Sequence, residues 1–160
     1  MLYLTLKYLH IVGAAVLLGT GAGIAFFMLL AHLEGKPVVI ASVARIVVIA
    51  DFVFTATAVI AQPVTGSLLA VEAGYSLREG WIIWSMVLYV FTGAFWLPVV
   101  WMQMRMRDLA TKAAAAGTPL PDQYHRIFWH WCAFGVPAFG AVALIFWMMI
   151  AKPPLELGSG

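Results

Sequence analysis

Residues 7–34 of the chain read KYLHIVGAAVLLGTGAGIAFFMLLAHLE. A helix of about 20 apolar residues spans the hydrocarbon core of a bilayer, so this stretch is long enough to cross a membrane. Its four glycines leave little side chain between its backbone and a neighbouring helix, and Gly19 and Gly23 form a GxxxG step. At roughly 100° per residue, these residues share one helical face: His10, Gly13, Leu17, Gly21, Met28 and, somewhat rotated, His32. We expect that face to point into a helix bundle.

The composition indicates a membrane protein. Of the 160 residues, 64% are hydrophobic and only 10% are charged, which is more apolar surface than a soluble domain of this length can bury. The net charge of +2 comes without a dense basic run, so we predict no nucleic-acid partner. A single cysteine, Cys132, excludes an internal disulfide and is expected to act as a small packing residue. The predicted environment is therefore the lipid bilayer.

Turn-forming residues divide the chain into four predicted spans. They cover residues 2–33, residues 37–73, residues 81–117 with a kink at Pro98, and residues 122–150 with a kink at Pro137. The second span is longer than a bilayer requires, so it must tilt, protrude or break at Gln62 and Pro63, and Pro63 favours a kink. The predicted fold is all-α, a four-transmembrane-helix bundle with proline kinks, formed by one domain over residues 1–154. Residues 155–160 (LELGSG) are set apart as a tail of the kind that cloning leaves.

The basic residues near the span ends predict the orientation. On the side of the first and third connections lie Lys36, Arg45, Arg105, Arg107, Lys112 and Arg126, and on the other side lie Lys7, Arg78 and Lys152. Because basic residues favour the cytoplasmic side of a membrane, we expect both termini to lie outside.

Polar side chains within the second span are candidates for function, because they are costly to expose to lipid. Asp51, Thr55, Ala58 and Gln62 recur at the spacing of one helical face and form a polar stripe. One interpretation is that Asp51 contacts a proton or a cofactor. The interpretation that we favour is a buried polar network between helices. Its predicted members are Arg45, Asp51, Thr55, Gln103, Arg105, His125, Arg126 and His130.

The four histidines are candidate ligands. His10 and His32 lie about 33 Å apart along a helix, so they cannot bind the same metal ion or haem iron. His10 lies within the apolar part of its span, where it either ligates a cofactor or stays neutral and bonds to a neighbouring helix. Headgroups and water can solvate His32 and His125, and the role of His130 stays open.

The third span offers two further candidates. Trp96 lies deeper than the other tryptophans, and Pro98 and Gln103 near it would help it to wall a pocket, although packing is the simpler interpretation. Met102 and Met106 lie one turn apart, so their thioethers can converge on a copper ion.

Segments in all four spans carry a resemblance to known membrane proteins. They are residues 9–11 (LHI), 19–23 (GTGAG), 62–66 (QPVTG), 96–105 (WLPVVWMQMR) and 124–126 (YHR). The chain resembles the small bacterial four-helix proteins grouped around the CopD copper-resistance proteins and the haem-containing, HemJ-type protoporphyrinogen oxidase. It resembles an uncharacterised sister family of that group more closely. The resemblance implies a multi-pass protein of the bacterial inner membrane.

The resemblance also bears on the cofactor. In the HemJ-type enzyme, a first-span histidine and a lysine early in the third span are associated with haem. His10 matches the histidine, but the third span here opens with residues 81–84 (WIIW) and no lysine.

Our leading hypothesis is that the protein binds haem b or a similar tetrapyrrole in a redox role. His10 would be the axial ligand, Gln62 and Trp96 would lie beside the cofactor, and Gly13 and Gly21 would clear the space that a flat macrocycle needs. The alternative is a non-catalytic transport or scaffold protein, in a copper-related role, that uses Asp51 and the methionine pair. A second copy of the chain would cover the glycine-rich face of the first span as a homo-oligomer. The sequence identifies no electron-transfer partner and does not decide whether the protein is an enzyme.

Overall fold

A computed structural model describes residues 1–155, so residues 156–160 of the predicted tail lie outside the described part. The described residues form α1 (Leu2–Glu34), α2 (Pro37–Ala50), a π-helical segment (Asp51–Thr55), α3 (Ala56–Glu72), α4 (Gly80–Ala116) and α5 (Asp122–Ala151). The second span consists of α2, the π-helical segment and α3. Each of the four spans is long and apolar enough to cross a membrane. The prediction of an all-α bundle of four transmembrane helices is confirmed.

Glycines in the left-handed conformation end two of the long helices. Gly35 has a φ of 71° and ends α1, and Pro37 begins α2 at a position where its missing N–H is not needed. Gly117 has a φ of 64° and ends α4. An even number of crossings places both chain ends and residues 73–79 on one side of the bundle, which we call the termini side. Residues 35–36 and 117–121 connect the spans on the opposite side.

The helix of the second span continues through Pro63, so of the three alternatives the break does not occur there. Proline has no N–H, which leaves the carbonyl of Val59, four residues earlier, without its helical partner. The Tyr89 hydroxyl of α4 donates to that carbonyl at 2.7 Å. A neighbouring helix thus satisfies the backbone group that Pro63 leaves free, as the absence of water in a bilayer requires. The irregularity of this span lies instead in the π-helical segment.

Tyr89→Phe should therefore destabilise the protein. The change leaves the Val59 carbonyl with no donor and should lower the free energy of unfolding by about 1–2 kcal/mol, measured as reversible unfolding in mixed detergent micelles. Tyr8→Phe is the matched control, because Tyr8 is exposed on the surface of α1. Equal losses in the two variants would contradict a specific role for Tyr89.

The second span changes neighbours at its π-helical segment. Among the described residues, α2 packs closely against α4, whereas α3 packs closely against α1. The main hydrophobic core accordingly lies among α1, α2, α4 and α5 towards the opposite side, around side chains that are fully buried: Met28, Ile40, Met106, Tyr124 and Phe128. Because α3 leans towards α1, a space opens between α3 and α4 on the termini side. A π-helical turn inserts one extra residue into a helix and so rotates the side chains that follow it about the helix axis. This rotation is the local cause of the divergence between α2 and α3.

Candidate cofactor cavity

A cavity of about 660 Å³ occupies the space on the termini side, and all four spans contribute to its wall. Its rim carries exposed side chains such as Lys7, Tyr75 and Lys152, and its wall includes Ser85, which is only 2% exposed. The cavity therefore runs from the bundle surface into the interior. Ligand pockets commonly measure about 300–1,000 Å³, and this cavity falls within that range.

His10 lines the cavity, and a second helix holds its imidazole in place. The Thr65 hydroxyl of α3 donates its one hydrogen to the backbone carbonyl of Ala61 at 2.8 Å. The 3.0 Å contact between His10 Nδ1 and Thr65 Oγ1 is therefore one in which the imidazole N–H donates. With the Thr65 hydroxyl donating to Ala61, the matching tautomer of His10 carries its hydrogen on Nδ1, and the lone pair of Nε2 has no hydrogen bond in the described structure. A histidine that ligates a metal through one nitrogen commonly has its other nitrogen held in this way.

Two glycines allow α1 and α3 to approach each other around His10. A side-chain carbon on Gly66 would lie 2.9 Å from His10 Cε1, so the imidazole occupies the space that Gly66 leaves. On the other helix, a side-chain carbon on Gly13 would collide with the amide of Gln62. That amide donates to the backbone carbonyl of His10 at 3.0 Å. Gln62 therefore lies beside His10 on the cavity wall and helps to fix the position of α1, and its role beside a cofactor stays a prediction.

The predicted purpose of the glycines on α1 is wrong. Gly13 makes room for Gln62. A side-chain carbon on Gly21 would lie 3.7 Å from the ring of Phe139, so that ring covers Gly21. Neither glycine clears space for a ligand. The free volume beside His10 comes instead from the separation of α3 and α4. A side-chain carbon on Gly19 would have no neighbouring residue within 4 Å, so no residue of the described chain covers this glycine.

Two lysines lie at the rim of the cavity. Lys152 donates to the Tyr75 hydroxyl at 2.9 Å and lies 5.7 Å from the centroid of the Trp81 ring. Lys7 lies 5.6 Å from the centroid of the Tyr3 ring. Neither lysine forms a salt bridge with a carboxylate of residues 1–155. Glu72 lines the same cavity, so two lysines and one carboxylate give the lining a net positive charge, which favours an anionic group on the ligand.

The sequence analysis did not identify these lysines as site residues. The spacing of Lys7 and His10 on one face of α1 was an available signal. No local signal connects Lys152 with that face, since it follows the last span.

Asp51 lies at the π-helical segment, away from the cavity, and is 2% exposed. The indole N–H of Trp96 donates to Asp51 Oδ1 at 3.3 Å. Trp96 is not part of the cavity wall, so the prediction that it lies beside the cofactor is wrong for this cavity. Its indole serves the polar contact with the second span instead.

The predicted polar network is only partly present. Thr55 and Gln103 are buried like Asp51, at 5% and 2% exposure. The other five predicted members are exposed and do not reach the carboxyl: Arg45, Arg105, His125, Arg126 and His130. Their inclusion was wrong, because long basic side chains near span ends extend towards headgroups and water. His130 bonds to its own helix, with Nδ1 2.7 Å from the carbonyl of Arg126.

The remaining candidates pack in the core near the opposite side. The His32 ring stacks on Phe128 with 3.6 Å between the ring centroids and contacts His125 edge to face. Met102 and Met106 are buried in the main hydrophobic core. Within residues 1–155, no group of three or more His, Cys, Asp or Glu side chains is placed to hold a metal ion. Packing accounts for both methionines, and a copper-related role stays a prediction.

Comparison with known proteins identifies the family. The model of a family described as "Predicted integral membrane protein (DUF2269)" matches residues 4–153, nearly the whole chain. The chain belongs to the DUF2269 family. No curated protein and no solved structure matches it. Membership in DUF2269 agrees with the four spans, and neither the family description nor the other comparisons link this chain to CopD or to the HemJ-type oxidase.

Proposed function

We propose that this DUF2269 protein binds haem b in the cavity on the termini side, with His10 Nε2 as an axial ligand. The observation that carries the proposal is the arrangement of the imidazole. Thr65 holds the hydrogen on Nδ1, and Nε2 keeps a free lone pair in a residue that lines the cavity. This is the ligand arrangement in which an outer hydrogen bond orients a histidine towards a metal.

The character of the cavity also suits a tetrapyrrole. Its wall is mostly apolar, as the face of a macrocycle requires, and includes Ile11, Ile82 and Phe146. At the rim, Lys7 and Lys152 are placed to bind the two carboxylates that haem carries at one edge. A flat apolar molecule with anionic groups at one edge therefore matches both the wall and the rim.

The third span has no lysine near its start, so the resemblance supplies no second axial ligand. Two thioether side chains, Met86 and Met149, line the same cavity. A thioether is an established axial ligand of haem iron, which makes these two residues the candidates for that position. When bound, haem supplies one-electron redox chemistry, and the protein supplies the ligand, the apolar wall and the charged rim.

The resemblance implies a bacterial inner-membrane protein, and the distribution of basic residues predicts that both termini lie outside. In that orientation the cavity opens on the face away from the cytoplasm, and an electron-transfer partner would approach from that face. The partner itself is not identified.

A haemin titration of the purified protein tests the proposal. The wild type should develop a Soret band that saturates at one haem per chain, and His10→Ala should lose it while keeping its helical circular dichroism. His130→Ala is the matched control, since His130 is exposed and bonds to its own helix. It should bind haemin like the wild type. A wild type that stays colourless after titration, or a His10→Ala variant that binds equally, would refute the assignment.

A further inference from the structure

Two hydrogen bonds set the alignment of α4 against the second span. Tyr89, which lines the cavity, donates to the carbonyl of Val59, and Trp96 donates to Asp51. Thr92 lies on α4 between Tyr89 and Trp96. Because the two spans are antiparallel, the side chain at the same level of the second span is Thr55, between Asp51 and Val59. Hydroxyl groups therefore lie between the inner end of the cavity and the Asp51 carboxyl.

Thr92 Oγ1 is buried without a hydrogen-bond partner in the described structure. Asp51 Oδ2 and Thr55 Oγ1 are buried as well, and the Thr55 hydroxyl lies beside the Asp51 carboxyl without a hydrogen bond of good geometry. Buried polar atoms are nearly always hydrogen-bonded, and where protein groups do not bond them, internal water does. The same stretch contains the π-helical segment, a feature that is frequent at functional sites. These observations indicate a short hydrated path between Asp51 and the cavity.

No charged side chain of residues 1–155 forms a salt bridge with Asp51, and Arg45 on its own span is exposed. Residues 11–31 of α1, 81–104 of α4 and 131–151 of α5 contain no Asp, Glu, Lys or Arg, and the titratable side chains in them are Tyr89 and Cys132. A carboxylate without a cation is costly in the membrane interior, whereas the neutral acid is tolerated. Asp51 is therefore a proton-carrying group in a region that otherwise holds no charge.

We propose that Asp51 is a proton-exchange site, connected to the cavity by water bound to Thr55 and Thr92. In each exchange the O–H bond of the Asp51 carboxyl breaks, its proton passes to a water molecule on the path, and a proton from water in the cavity restores the acid. No electron is transferred in this step. The use of that proton with a haem in the cavity rests on the proposed function, but the exchange itself needs no cofactor.

Infrared spectroscopy of the haem-free protein in lipid vesicles tests the site. The wild type should show a C=O stretching band of a protonated carboxyl that is absent from Asp51→Asn, which keeps an acceptor for the Trp96 indole. Transfer to D₂O should shift this band to lower frequency within minutes. Since no haem is present, failure of this experiment is distinct from failure of the proposed function.

Variants of the two threonines test the path. Thr55→Val or Thr92→Val removes a group that holds water, and each should slow the D₂O shift by about tenfold or more. Thr57→Val is the matched control, because Thr57 is exposed and its hydroxyl bonds to the carbonyl of Val53 on its own helix. It should exchange like the wild type. The proposal is overturned if no band is lost in Asp51→Asn, if the band does not shift over hours in D₂O, or if both threonine variants exchange at the wild-type rate.

Discussion

Gly66→Ala should weaken haemin binding by about 10- to 100-fold, the range seen when the orientation of a metal ligand is disturbed. The added methyl carbon would lie 2.9 Å from His10 Cε1, closer than such atoms approach in proteins. The imidazole is the end of a side chain with two rotatable bonds, so it can turn away with little loss of stability. Turning away breaks its bond to Thr65 and moves Nε2 from its position on the cavity wall. Binding should therefore fall much more than stability.

The measurement is a haemin titration followed at the Soret band, together with detergent-induced unfolding. Gly19→Ala is the control, because a side-chain carbon at that position meets no other atom within 4 Å. It adds the same methyl group to an uncovered face of α1 and should bind haemin normally. If Gly66→Ala bound haemin as tightly as Gly19→Ala, the position of the His10 ring would not determine binding.

Asp51→Leu should lower the free energy of unfolding by about 2–4 kcal/mol, whereas Asp51→Asn should lower it by less than about 1 kcal/mol. Leucine leaves the Trp96 N–H without an acceptor and displaces any water that serves Thr55 and Thr92. Asparagine keeps a carbonyl oxygen for the indole and has nearly the shape of aspartic acid. The difference between the two variants therefore measures hydrogen bonding rather than the removal of an acid.

Reversible unfolding in mixed detergent micelles, followed by circular dichroism, gives both values. Val53→Leu is the control, because Val53 lies exposed on the same π-helical segment and an apolar change there breaks no hydrogen bond. Equal stability of the leucine and asparagine variants would show that the contact with Trp96 contributes nothing to folding.

The proposed haem site was only partly predictable from the sequence. His10 stands out because it is the one histidine in the apolar part of a span, and Gln62 stands out because it precedes a proline within another span. Thr65 gives no comparable signal, although it determines which nitrogen of His10 is free. The contact joins residues on two helices, and helix periodicity describes only the faces within one helix. Lys152 likewise joins the cavity only because the bundle brings the last span beside the others.

The arginines show that the sequence can also predict a contact that the folded chain does not form. Arg45 and Arg105 were predicted members of the polar network around Asp51 because they lie on the same side of the membrane, and both are exposed in the folded chain. A long basic side chain near a span end can turn towards a neighbouring helix or towards the headgroups, and the sequence around it does not determine which of the two it does. The choice depends on the rotation of each helix within the bundle.

The sequence by itself determined the four spans, their approximate ends and the membrane environment, because hydrophobic length and glycine or proline punctuation act locally along the chain. Only the tertiary structure decided where the second span changes direction and therefore where the cavity lies. A break at Pro63 was one of the alternatives for this span, but the Tyr89 hydroxyl satisfies the carbonyl that the proline frees, and the helix continues. The span changes its close neighbour from α4 to α1 at the π-helical segment that begins with Asp51. A helix in lipid bends or stays straight according to which backbone groups its neighbours can satisfy, and those neighbours are chosen only when the bundle packs.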